Sequence, residues 1–174
     1  MTENAVPNHD VSDDAAPNPV EQRRRQRLGA YVICVRDGTI LLARWLGPHG
    51  PRWTLVGGGV EFGEDPADAA LREFTEETGY VGRLDQLLGI DSLWLEAADQ
   101  GADSVVHEMH SIRVVYEGTI IGGDLRPEVD GSTDQAAWIP FDQVPSLDRV
   151  GLVDQGIALY RQRPATGQIS PLPN

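Results

Sequence analysis

The sequence predicts a single α/β domain of the α+β kind. Three observations carry that prediction. Two apolar runs meet at a tight turn near Asp37-Gly38, residues 66–78 carry their own helix start and stop signals, and later strand-like runs lead into a closing amphipathic helix. A chain of 174 residues, 40% of them apolar, is about one domain's worth, and 19 Gly and 12 Pro promise many turns.

Residues 1–27 read as a disordered tail, because their Asn, Asp, Pro and Ala offer too little apolar surface to offset ordering entropy. Within it, Arg23-Arg24-Arg25 reads as a solvated linker. The folded domain is expected over residues 28–163, with a flexible, breaker-rich C-terminal tail over 164–174. Tyr31–Val35 reads as a buried strand, Asp37-Gly38 as a hairpin turn and Thr39–Trp45 as the returning strand. Gly47-Pro48-His49-Gly50-Pro51 reads as a loop, and Trp53–Val56 as a short strand entering Gly57-Gly58-Gly59. A helix is predicted over Pro66–Thr78, with Asp65 as its cap, Pro66 in its first turn and Gly79 as its left-handed stop. Leu87–Leu95, Ile112–Tyr116 and Ala136–Ile139 read as strands, the first two joined by a polar stretch around 96–108. A final helix near Val150–Arg163 places Val153, Ile157 and Tyr160 on one face.

Composition narrows the function. No apolar run approaches the ~20 residues that span a bilayer, and Met1-Thr2-Glu3-Asn4 lacks the pattern of a secretory signal. A cytoplasmic protein is expected. The formal charge of −13 opposes attraction to polymeric nucleic acid or an anionic membrane, so neither is expected as a partner. A small polyanion remains compatible, since divalent metals bridge carboxylates to phosphates. The one cysteine, Cys34, sits in the apolar run Ala30-Tyr31-Val32-Ile33-Cys34-Val35 and reads as a buried thiol rather than a nucleophile.

The chemistry concentrates between residues 57 and 80. On the predicted helix, Ala67, Ala70, Leu71, Phe74 and Thr78 form a mostly apolar stripe. Glu73, Glu76 and Glu77 share a different face at i, i+3 and i+4, where each like-charge pair costs roughly 0.2–0.5 kcal/mol. Glu76 and Glu77 also stand near the helix C-terminus, where the dipole disfavours negative charge. A hard divalent cation with oxygen ligands, Mg²⁺ or Mn²⁺, resolves both conflicts. Arg72 lies four residues before Glu76 and either braces the acidic face or holds a glutamate in ligand geometry. Gly57-Gly58-Gly59 lets main-chain groups approach a ligand closely, and a carbonyl there can complete a metal's coordination. No Gly-Lys-Ser/Thr follows, so this is not a P-loop, and Phe62 occupies the last glycine position of G-x-G-x-x-G.

Gly58, Glu64, Arg72, Glu73, Phe74, Glu76, Glu77, Gly79 and Tyr80 stand at the spacing of a known signature: Gly, five residues, Glu, seven residues, Arg-Glu, an apolar residue, one residue, Glu-Glu, one residue, Gly, an apolar residue. The segment resembles the box of the Nudix hydrolase family (MutT-like). The resemblance implies an αβα sandwich with a mixed β-sheet. It also implies hydrolysis by water attack on one phosphorus of a nucleoside diphosphate linked to another moiety: a nucleotide, a nucleotide sugar or an ordinary or oxidised nucleoside triphosphate. Mg²⁺ is the implied cofactor, with Mn²⁺ as a substitute, and a homodimer is compatible with the family. By position, Glu73, Glu76 and Glu77 are the expected metal ligands with the Gly57 carbonyl, while Gly58, Glu64 and Arg72 support them. Glu73 is the first candidate for the base. A later acid is expected from the loop before Trp138, which offers Glu128, Asp130 and Asp134; turn chemistry is the plainer reading of that loop.

Two departures stand out. Val56 replaces the proline common before the paired glycines, and Tyr80 is bulkier than the usual aliphatic residue. Two rival functions are a nucleotide sensor that does not hydrolyse and an isoprenoid-diphosphate isomerase. The whole acidic triad opposes the first, and the apolar setting of Cys34 opposes the second. His107 and His110 read as surface or substrate-contacting groups, and Trp45, Trp53, Trp94 and Trp138 as mostly core, with Trp45 or Trp94 able to stack a base.

Overall fold

The computed structural model describes residues 25–95, 108–128 and 130–169. The elements run β1 (Arg25–Ile33), β2 (Val35–Arg36), β3 (Thr39–Gly47), β4 (Gly50–Gly59), α1 (Pro66–Thr78), β5 (Tyr80–Leu95), β6 (Met109–Gly123), β7 (Thr133–Pro140), a 3₁₀ turn (Val144–Ser146) and α2 (Gly151–Gln162). The sheet is mixed: its order is β2-β3-β4-β1-β6-β5, with β7 on β3. β1 and β6 run parallel, and the other pairs are antiparallel.

Alternation along the strands sends side chains to two cores. Ala30, Val32, Leu41 and Val56 meet Ala70 and Phe74 of α1 on one face. Ile33, Ile40, Leu42, Leu55 and Val115 meet Leu152, Val153 and Leu159 of α2 on the other. The architecture is therefore the expected αβα sandwich. Fully burying a side chain such as Phe74 stabilises by about 1.5–3 kcal/mol, and Phe74 is 1% exposed. Among the described residues, no helix is long and apolar enough to cross a membrane.

Local signals explain the elements that match. Asp37 (φ 50°) and Gly38 (φ 73°) make the tight turn between β2 and β3 with positive φ at both positions. The Asp65 side chain accepts from the Ala67 N–H at 2.8 Å, and Gly79 (φ 72°) ends α1 with its N–H on the Thr75 carbonyl.

Other elements outrun their sequence signals. The Gly47–Pro51 loop is a tight turn, because Gly47 still pairs with Gly50 across the β3–β4 hairpin. β5 starts at Tyr80 and β6 continues to Gly123, with irregularities at Val81/Gly82, Leu84/Gln86 and Leu87/Gly89. Those bulges absorb the glycines and polar residues that break the apolar pattern. The described fold also extends past Leu28 and Arg163 at its two ends. Arg25 to Arg27 pair with Met109 to Ser111 in β1–β6. Residues 164–169, expected as a flexible tail, lie along β5: the Ile90 N–H donates to the Gly167 carbonyl at 2.9 Å, and Ile169 packs on the α2-side core.

Candidate active site

β4 delivers its three glycines to the side of α1. Gly57 has φ 136°, a conformation that glycine favours, and its N–H donates to Glu77 Oε2 at 2.8 Å. A Cβ on Gly58 would collide with the Glu73 carboxylate, so the bare backbone is what admits that side chain.

Arg72 organises the rest. Its Nε and Nη2 donate to the two oxygens of Glu64 at 2.8 and 3.0 Å. Nη1 donates to Glu73 at 3.0 Å and Glu76 at 3.1 Å, and Nη2 also reaches the Gly59 carbonyl at 3.1 Å. All the guanidinium's N–H groups are thereby engaged. Glu64 in turn accepts from the Glu61 N–H at 2.9 Å. The hydrogen bonds from Arg72, then that from Glu61, hold the Glu64 carboxyl down at about 2.

The three glutamates of α1 sit in graded environments. The Glu76 side chain is 49% exposed and that of Glu73 17%, whereas Glu77 is 2% exposed. Burial raises the Glu73 pKa against the pull of Arg72. Burial pushes Glu77 up to about 8, opposed by the Gly57 hydrogen bond and reinforced by the charges of Glu73, Glu128 and Glu76. A buried carboxylate with one backbone donor and acidic neighbours lacks positive charge, and a hard divalent cation would supply it. The donor set fits such an ion. Among the described residues, however, no three acidic, histidine or cysteine side chains close around a common point. Arg72 draws Glu73 and Glu76 to itself, while Glu77 turns to Gly57.

The later acids separate. Glu128 is near enough for its charge to act on Glu73 and Glu77, and its Oε2 accepts from the Thr133 hydroxyl at 3.1 Å and the Thr133 N–H at 3.3 Å. Asp134 is instead clasped by Arg44 through two bonds of 2.8 Å. Asp130 is exposed with φ 61° and shapes the turn.

The remaining candidates lie outside this cluster. Cys34 is 3% exposed, and burial pushes its thiol up to about 11; it is a core group rather than an isomerase nucleophile. His110 shares a 2.7 Å hydrogen bond with the Ser92 hydroxyl, and its ring lies 5.6 Å from that of Trp94. His107 lies outside the described residues. Trp53 and Trp138 pack against the two cores, but Trp94 is 50% exposed, contrary to the core expectation. Arg27, expected from composition to lie in the tail, is a further residue of this region. It belongs to β1, and its Nη1 donates to the Tyr31 hydroxyl at 2.9 Å. The alternation of Arg27, Gly29 and Tyr31 was the available signal, although only strand register shows what it faces.

A mixed sheet between two helices, with three carboxylates of one helix gathered beside a glycine-rich strand end, defines a class of αβα-sandwich proteins with an acidic helix at the site. Within that class, the chain belongs to the NUDIX family, whose domain model matches residues 24–158. It is similar to the ADP-ribose pyrophosphatase of Methanocaldococcus jannaschii, with 32% identity over 116 residues covering 66% of this chain and 62% of the relative. It is also similar to human (Homo sapiens) diphosphoinositol polyphosphate phosphohydrolase 3-alpha, with 51% identity over 65 residues covering 35% of this chain and 38% of the relative. The chain thus spans less than two thirds of the length of these curated relatives. In fold it resembles a NUDIX hydrolase from Nitrosomonas europaea: the TM-score is 0.64 at 24% identity, covering 79% of this chain and 90% of that one.

Proposed function

We propose that the chain is a divalent-metal-dependent pyrophosphohydrolase. Its substrate is a nucleoside diphosphate linked to another moiety: a nucleotide, a nucleotide sugar or an ordinary or oxidised nucleoside triphosphate. Mg²⁺ is the proposed ion and Mn²⁺ its substitute. One observation carries the reading: Glu77, almost fully buried, shares a helix face with Glu73 and Glu76 beside a strand end stripped of side chains. Fold stability alone gives no reason for that arrangement.

Glu73, Glu76 and Glu77 provide the oxygens for the ion, together with the Gly57 carbonyl. A divalent ion held there would supply neutralisation of phosphate charge and a lowered pKa for the attacking water. Arg72 and Glu64 set the directions of Glu73 and Glu76, and Gly58 keeps the approach open. Water attacks one phosphorus, the bond from that phosphorus to the bridging oxygen breaks, and two phosphate-terminated products leave. Glu73 is the first candidate to take the water's proton, and Glu128 is the later acid best placed to do so. The proposal includes a cytoplasmic location, a small-molecule substrate rather than polymeric nucleic acid, and a homodimer.

The test is a product assay over nucleoside triphosphates, oxidised dGTP, ADP-ribose, sugar nucleotides and dinucleoside polyphosphates in Mg²⁺. Wild type is expected to cleave at least one, with Glu77→Gln slower by about 10²-fold or more. Tight binding of one compound by wild type without cleavage of any would transfer the reading to a nucleotide sensor.

A further inference from the structure

The glycine-rich end of β4 has a second side, facing α2 rather than α1. Strand register pairs Tyr31 with Gly57, Gly29 with both Gly59 and Arg113, and Arg27 with Ser111. Directly paired residues of neighbouring strands point to one face of a sheet. Tyr31 belongs to the core under α2, so Arg27, Tyr31, Ser111 and Arg113 share that face.

These residues form a donor-rich group in a chain of formal charge −13. Ser111 is 4% exposed and Arg113 8%. Arg113 pairs with Asp91 through Nη2, but its Nε is buried without a hydrogen-bond partner. Arg27 donates to the Tyr31 hydroxyl at 2.9 Å, and among the described residues it has no carboxylate partner. Its Nη2 lies 3.7 Å from the point that a Cβ on Gly59 would occupy. Gly29 makes the arrangement feasible, because a Cβ there would stand 2.8 Å from the Tyr31 ring. Asp91 offsets the Arg113 guanidinium, and among the described residues of this face no carboxylate pairs with Arg27.

We propose that Arg27, Tyr31, Ser111 and Arg113 form an anion subsite for a phosphoryl group of the substrate, across the glycine strand from the acidic face of α1. The inference rests on the proposed function for its substrate class. A diphosphate ester brings several negative charges to a site whose α1 side is acidic and whose Arg72 is already fully engaged. Arg27 offers a guanidinium that no carboxylate among the described residues occupies, in the planar geometry that suits phosphate.

Steady-state kinetics in Mg²⁺ on a substrate found by the panel assay separates binding from chemistry. Arg27→Ala is expected to raise KM about 10-fold or more while kcat stays within about 3-fold, with Arg27→Lys recovering much of the loss. Tyr31→Phe, which frees the guanidinium from its hydroxyl partner, is expected to raise KM less. An unchanged KM in Arg27→Ala would overturn the subsite. A second measurement needs no turnover: calorimetric titration of tripolyphosphate in excess EDTA. Wild type and Glu77→Gln are expected to bind, and Arg27→Ala to bind about 10-fold more weakly or worse. Failure of wild type to bind, or equal affinity in Arg27→Ala, overturns the subsite whatever the activity. If wild type cleaves nothing in the panel, the hydrolase reading fails while the titration still decides the subsite.

Discussion

Arg72 carries more of the site's geometry than any other single side chain. It joins Glu64, Glu73, Glu76 and the Gly59 carbonyl through one planar group. Lysine keeps the charge but cannot reproduce that fork. Arg72→Lys is therefore expected to lower kcat by about 10–100-fold, the usual cost of losing a group that orients metal ligands, with the far-ultraviolet circular dichroism unchanged. Full activity would remove Arg72 from the mechanism. Glu64 gives a pH signature. Its folded-state pKa lies at about 2, below the 4.5 of an unperturbed glutamate, so its contribution to stability is present above about 4.5 and fades as pH falls toward about 2. Acid titration followed by circular dichroism is expected to show a shallower stability loss across that window for Glu64→Gln than for wild type. Cys34 gives a third check at this scale. With the thiol buried and its pKa raised to about 11, the native protein is expected to resist a disulfide reagent at pH 8 and to react with one equivalent after denaturation.

At the scale of the element, α1 combines strong local signals with an unfavourable charge pattern. Its boundaries were legible in the sequence because each one is set locally: Asp65 caps it, Pro66 fits its first turn and Gly79 stops it. The acidic face was equally legible, since three- and four-residue spacing alone puts Glu73, Glu76 and Glu77 together. The depth of Glu77 was not, because burial depends on Gly57 folding over it from a strand 20 residues away. β5 and β6 were legible only in their apolar middles. Gly82, Asp85, Gln86 and Gly89 interrupt the alternation, and bulges carry the strand through them. Two glycines test the element level. Gly79→Ala is expected to destabilise by about 1 kcal/mol or more in urea unfolding, because its φ is 72° and a Cβ would stand 2.7 Å from the Asp124 carbonyl. Gly58→Ala is expected to abolish most turnover with a smaller loss of stability, since its Cβ would displace the Glu73 carboxylate.

The whole molecule sets the two sides of the glycine strand apart. One helix packs on each face of a mixed sheet, and β4 ends between them, with carboxylates toward α1 and an arginine-bearing face toward α2. The later acids part company at this scale: Glu128, Asp130 and Asp134 look equivalent in sequence, but the fold gives Asp134 to Arg44 on the neighbouring strand and leaves Glu128 beside α1. The α2-side arginine face was invisible in the sequence for the same reason, as it joins β1 to β6 across more than 80 positions through a parallel register. On the proposed function, the acidic face of α1 binds a divalent cation. The most direct measurement is a Mn²⁺ titration followed by electron paramagnetic resonance, comparing wild type with Glu77→Gln. Saturable binding by wild type and a loss of affinity of about 10-fold or more in Glu77→Gln are expected; equal affinity in the two proteins would contradict the assignment.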